Sequence, residues 1–245
     1  MKCGLYLFFL LFLLFLLFLL FFLFSSAYAA NYPVHLGDST VIIQTHQQGQ
    51  GKAFVHLHQN ETTALTAARE MIKTEGGSLL TLIHSGERNV IFHLQGQRYE
   101  FDPNRIFTDA GIKKTLTQFG EYTPAAEKEV KKLADKLKVL LPKGKIVAVH
   151  NNREYSLKNY LPGHDMAHDA KSLNYCDESG HRNFYLVTRP LDYIRLKDLN
   201  FNSVLQAEHA TDDGSLSVYL AGRDYINVEA GYDQLLAQIK MLKYA

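Results

Sequence analysis

Eleven histidines occur in this 245-residue chain, which has no basic bias, so their placement matters. His58-Gln59-Asn60-Glu61 sets an imidazole and a carboxylate three residues apart. On a strand-to-helix turn such a pair can converge on one Zn2+, because nitrogen and carboxylate oxygen are both ordinary zinc donors. Chance supplies several such pairs in a chain this rich in His and Glu. His56, on the same strand face, also reads as a satisfied polar residue at a sheet edge. His150 closes the apolar run Ile146-Val147-Ala148-Val149, where it suits metal ligation or a hydrogen-bonded structural role. In Asp102-Pro103-Asn104-Arg105 the last two residues pair an amide with a planar fork of donors suited to a carboxylate. The same four residues are also good turn formers. Glu229 closes Tyr225-Ile226-Asn227-Val228 just before Ala230-Gly231. An acid at the end of a buried strand is costly unless it is paired or functional, the alternative being a solvated strand end.

Other constellations are weaker. His164-Asp165-Met166-Ala167-His168-Asp169 is an H-x-x-x-H with adjacent acids, but the glutamate expected beside the first His is missing. Pro162-Gly163 just before it points to a loop bordering the cleft. Cys176 with His168 or His181 lacks an orienting third group, and a partly buried structural thiol is expected. No G-x-S-x-G elbow and no Gly-rich phosphate loop is present.

These residues need elements to hold them. Short β-branched and aromatic runs predict strands at 41–45, 53–58, 79–84, 90–94, 97–101, 145–150, 183–188, 202–206, 216–220 and 225–229. Helical spacing with start and stop signals predicts helices at 62–74, ended by Gly76-Gly77, and at 124–141, ended by Pro142. A third helix at 232–243 carries Leu235, Leu236, Ile239 and Leu242 on one face. Strands alternating with helices predict an α/β domain with a central mixed β-sheet flanked by helices on both faces. Ligands of such sheets sit at the carboxyl ends of the strands, where His58, His150 and Glu229 fall.

The order of the motifs resembles the zinc carboxypeptidase family of metallopeptidases, in its exported peptidoglycan-peptidase-like branch. His-x-x-Glu, then Asn-Arg, then a strand-end His, then a strand-end Glu before the last helix follow one another across nearly the whole mature chain. The intervals are 44 residues from Glu61 to Arg105, 45 from Arg105 to His150 and 79 from His150 to Glu229. The resemblance implies zinc held by His58, Glu61 and His150, with Asn104 and Arg105 gripping a substrate carboxylate. It implies Arg88 polarising the scissile carbonyl, with Arg98 as a competitor, and Glu229 as the general base. No tyrosine occupies the family's covering position, since Tyr219 lies only ten residues before Glu229. The family's specificity pocket is unplaced, although Asp212 and Asp213 lie in the stretch that contributes to it. Three protein ligands leave one zinc position for water, whose pKa falls to about 7.

Composition sets the surroundings. Residues 1–29 hold 8 of the 15 Phe, and only Lys2, Gly4, Ser25 and Ser26 among them are not apolar. A positive start, the apolar run 5–24 and Ala27-Tyr28-Ala29 read as a secretory signal cleaved after Ala29. Twenty apolar residues also span about 30 Å, enough for an uncleaved membrane anchor. Either way residues 30–245, a single catalytic domain, are exported, periplasmic or secreted, and touch a membrane only through the head if it is retained. Without Lys2 the charge is zero, which argues against nucleic acid as a partner. The one mature cysteine excludes an intrachain disulfide. The expected activity is a zinc-dependent peptidase acting on peptides or peptidoglycan stem peptides. An acyl-amino-acid deacylase of the succinylglutamate type, or a metal-free binding domain on the same fold, is the alternative.

Overall fold

The computed structural model describes Phe12 and residues 28–245. The expected signal or anchor at residues 1–29 therefore lies outside the described residues, apart from Phe12, Tyr28 and Ala29. Among the described residues no helix is long and apolar enough to cross a membrane.

Elements follow in the order β1 (Tyr28–Leu36), β2 (Ser39–Gln48), β3 (Lys52–His56), α1 (Thr62–Glu75), β4 (Gly77–Ile83), β5 (Val90–Leu94) and β6 (Gln97–Phe101). Then come α2 (Asp109–Phe119), α3 (Pro124–Leu140), β7 (Ile146–Asn152), β8 (Ala170–Asn174), β9 (Phe184–Val187) and α4 (Pro190–Asp198). The chain finishes with β10 (Ser203–Gln206), the short α5 (Leu216–Tyr219), β11 (Tyr225–Gly231) and α6 (Leu235–Tyr244). Nine strands form one mixed sheet in the order β1-β2-β4-β3-β7-β11-β9-β10-β8, and β5 and β6 make a separate hairpin. The hairpin turn is Gln95-Gly96, both at positive φ, the conformation a two-residue turn between right-twisted strands requires.

Strand pleating explains the two cores. Successive side chains point to opposite faces, so Val55, Leu80, Ile146 and Ala148 enter one apolar cluster while Phe54, Leu79, Val147 and Val149 enter the other. The first cluster is closed by α2, α3, α5 and the hairpin, the second by α1, α4 and α6. The fold is thus α/β, with a mixed sheet covered by helices on both faces, as the alternation of elements predicts. Strands β4, β3, β7 and β11 run parallel, so their carboxyl ends share one edge of the sheet.

The structure departs from expectation in places. Residues 216–220 form α5 rather than a strand, because Ser215 caps the turn by accepting from Val218 N at 3.4 Å and Leu216 and Leu220 both turn inward. Elements not anticipated are β1, β8, α2 and α4. Cys176 is exposed rather than partly buried, and its thiol donates to the Asn200 carbonyl at 3.1 Å. His56 is fully buried in a central strand and not at a sheet edge.

Candidate metal centre

His58 lies two residues past β3, and a tight turn returns Glu61 beside it, with Glu61 N donating to His58 O at 3.0 Å. Glu61 is the N-cap residue of α1, yet its side chain caps nothing. The carboxylate turns into the site instead, reaching His58 Nδ1 at 2.9 Å, His150 Nδ1 at 3.1 Å and Asn151 N at 3.1 Å. The helix amide it forgoes is taken by Asn151, whose Oδ1 accepts from Ala64 N at 2.7 Å. Asn151 Nδ2 donates to Gln238 Oε1 at 2.9 Å, and Gln238 Nε2 donates to His150 O at 3.0 Å, which ties α6 to the site. His58, Glu61 and His150 are all buried, at 0%, 1% and 3% exposure.

These residues form a group of the kind that holds a metal ion. The two Nδ1 atoms lie 3.1 Å apart, and at most one proton can sit between two ring nitrogens. Two imidazole lone pairs and a carboxylate converging on one buried point are what a cation would satisfy. Edges of 2.9–3.1 Å are close to the ~3.3 Å separation of tetrahedral donors about zinc at ~2.0–2.1 Å. The residues fit zinc in donor type, number and spacing.

Asp102 supports the group from behind. Its Oδ1 accepts from His58 Nε2 at 2.7 Å and from Asn104 N at 2.7 Å, so a His58 proton is held on Nε2 and Nδ1 is turned toward Glu61 and His150. Burial disfavours the charged form of His58, but Glu61 and Asp102 outweigh it and raise its pKa to about 9. The same contacts hold Glu61 and Asp102 well below the usual carboxylate range despite their burial. His56 is pushed down to about 4 by burial. Neutral at pH 7, it bridges Thr81 Oγ1 at 2.9 Å and the Glu61 carbonyl at 3.1 Å, bracing the ligand turn.

The remaining expected residues line one cavity of about 740 Å3 beside the group. Arg88 rides on the loop after β4, pinned by Gln59, whose Oε1 accepts from His84 N at 2.6 Å and Gly86 N at 3.0 Å. Its guanidinium donates to Glu61 Oε1 at 2.5 Å and to Asp102 Oδ2 at 3.4 Å. Arg98, the competitor, is on the hairpin and pairs with Glu100 at 2.5 Å instead. Arg105 ends a single 3-10 turn, Pro103–Arg105, with Nη2 3.5 Å from Asp213 Oδ2. Asn104 accepts from Leu216 N at 3.0 Å, so it also anchors the start of α5. Glu229 sits on β11 at 5% exposure, directly across from His150 on β7. Its Oε1 accepts from Asn227 Nδ2 and its Oε2 from Asn152 Nδ2, each at 3.1 Å.

Some participants escaped sequence reasoning. Asp102 was visible only as a turn former, and Asn152 and Asn227 carry no motif. Tyr155, Tyr160 and Tyr232 line the cavity, whereas Tyr219 stacks on Phe107 with centroids 5.8 Å apart. Arg153 stands over the Tyr232 ring at 5.0 Å, and both line the cavity. The 164–169 segment borders the cleft as expected: Met166 and Asp169 face it, while His168 bonds Thr211 Oγ1 at 2.7 Å.

Neither known family models nor curated proteins match this chain. Among solved structures it is similar to an aspartoacylase family protein from Mesorhizobium loti, with TM-score 0.47 and 13% identity. The match covers 90% of this chain, which spans only 66% of the length of that protein.

Proposed function

We propose that this protein is a zinc-dependent amide hydrolase, exported, and directed at amide bonds near a free carboxylate in peptidoglycan stem peptides. The observation that carries the reading is the convergence of His58 Nδ1, Glu61 and His150 Nδ1 at the wall of a cavity that also holds Glu229, Arg88 and Arg105. When bound there, zinc supplies Lewis acidity, polarising an amide carbonyl and lowering the pKa of water toward 7. Arg105 and Asn104 orient a substrate carboxylate, so that the scissile carbonyl arrives near Arg88. The Arg88 guanidinium, already beside Glu61, faces the negative charge that develops on the carbonyl oxygen. Glu229 accepts a proton from the attacking water on a carboxylate oxygen and delivers it to the leaving amine nitrogen. Tyr155, Tyr160 and Leu186 also line the cavity. The head at residues 1–29 supports export, and wall peptides with free carboxylates are the amides an exported enzyme meets.

Elemental analysis of the purified protein should find about one zinc per chain, the load of a three-ligand site, with His58→Ala and His150→Ala losing it. Glu229→Gln should keep zinc and abolish turnover of isolated muropeptides, read as product masses. A protein without zinc favours a binding domain. Zinc with intact muropeptides, but release of acyl groups from N-acyl amino acids, favours the deacylase.

A further inference from the structure

We propose that Asn227 and Asn152 form an amide clamp that sets the orientation of the Glu229 carboxylate, and that Asn227 occupies its place for that purpose alone. The inference rests on Glu229 being the base proposed above.

Asn227 and Glu229 are two residues apart on β11, so the pleat points both into the cavity while Ile226 and Val228 enter the apolar cluster on the other face. Asn227 Nδ2 approaches Oε1 from within the strand, and Asn152 Nδ2 approaches Oε2 from the neighbouring β7. One donor would leave the carboxylate free to turn about its last torsion. Two donors on different oxygens, from two strands of one sheet, fix its plane. A base that takes a proton from water and then hands it to a leaving nitrogen must hold one orientation through both transfers. Neutral amides provide that without cancelling the charge that makes the group a base.

Asn227 is the more telling of the pair. It is 6% exposed, and among the described residues its Oδ1, also buried, has no hydrogen-bond partner while its Nδ2 bonds only Glu229. A half-satisfied amide beneath a sheet is worse for folding than an apolar side chain of the same size. Packing therefore gives no reason for an asparagine there, whereas the contact with Glu229 does. Asn152 has a second task, donating to Arg182 O at 2.9 Å, so its loss would disturb more than the carboxylate.

The test uses the full zinc-loaded chain and isolated muropeptides. Asn227→Ala should lower kcat by about 10- to 100-fold, with KM within twofold and zinc content unchanged. Asn227→Asp, the same shape with a second carboxyl facing Glu229, should lose at least as much, and it decides the matter if the alanine variant does not fold. A crystal structure of Asn227→Ala should show the Glu229 carboxylate turned from its present orientation, which needs no substrate to observe. An active Glu229→Gln overturns the base assignment and the clamp's purpose with it. An inactive Glu229→Gln beside Asn227 variants of full kcat overturns the clamp alone, as does an unmoved carboxylate.

Discussion

Replacing Asp102 by Asn tests whether the metal centre depends on a group that touches no metal. Asp102 Oδ1 receives His58 Nε2 and Asn104 N, each at 2.7 Å, and Oδ2 faces Arg88 Nη2 at 3.4 Å. In the variant Oδ1 can keep its two donors, but the bond to His58 loses its charge. A charged hydrogen bond contributes ~1.5–3 kcal/mol and a neutral one ~0.5–1.5, so about 1–1.5 kcal/mol is forfeited. The new Nδ2 also points its hydrogens at the Arg88 guanidinium, two donors with no acceptor between them. Loss of a carboxylate behind a ligating histidine lowers metal affinity by about 10- to 100-fold, or ~1.4–2.7 kcal/mol. Competition against a chromophoric chelator measures the zinc dissociation constant directly, and circular dichroism checks that the fold survives. The reasoning fails if Asp102→Asn binds zinc within threefold of the parent while His58→Ala does not bind it.

Three further outcomes follow from the same geometry. Because His58 is raised to about 9, zinc must displace a proton from it at any lower pH, so affinity should rise as pH increases toward 9. Calorimetry in buffers of different ionisation enthalpy should count about one proton released at pH 7, and none released would refute the assignment. Gln59→Ala removes the acceptor that pins the Arg88 loop and should cut kcat/KM by about 10- to 100-fold with zinc retained; unchanged kinetics would show that the loop holds itself. Gly111→Ala places a Cβ 2.2 Å from Gly214 Cα and 2.6 Å from Arg105 O. Overpacking of that kind costs about 1–3 kcal/mol, a fall in Tm of roughly 2–12 °C for a domain of this size, so an unshifted melting curve would count against the contact.

The members of the candidate metal group were legible because His58 and His150 each close a hydrophobic run and Glu61 follows His58 at H-x-x-E spacing. An imidazole or carboxylate at such a position needs a reason, and His58, Glu61, His150 and Glu229 all stand at the shared carboxyl edge of β3, β7 and β11. What periodicity cannot supply is pairing between distant segments. Asp102 becomes a histidine partner only because the β5–β6 hairpin folds back onto the end of β3, 44 residues away in the chain. Asn227 lies inside a strand pattern, where an amide reads as a weak strand former until its neighbour across the ladder is known, and Asn152 stands two residues past the expected strand 145–150, although β7 runs on to it. Leu216–Tyr219 misleads for a local reason: its alternating apolar residues suit a strand, and the cap at Ser215 decides for a helix. The start signal of α2 was present in Thr108, whose hydroxyl accepts from Gly111 N at 3.0 Å, and Ile112, Leu116 and Phe119 follow it at helical spacing, so this helix was legible in the residues.

Gln238 links the last helix to the ligand strand through buried amide bonds, although α6 itself lends no group to the cavity. Under the proposed zinc assignment, the ligand geometry is therefore coupled to the docking of α6, which braces His150 through its carbonyl and Glu61 through Asn151. A frameshift or stop codon at or before Leu235 would register in a functional screen as an active-site null. Fusions that strain this helix would dim activity by the same route, well away from any residue that touches substrate.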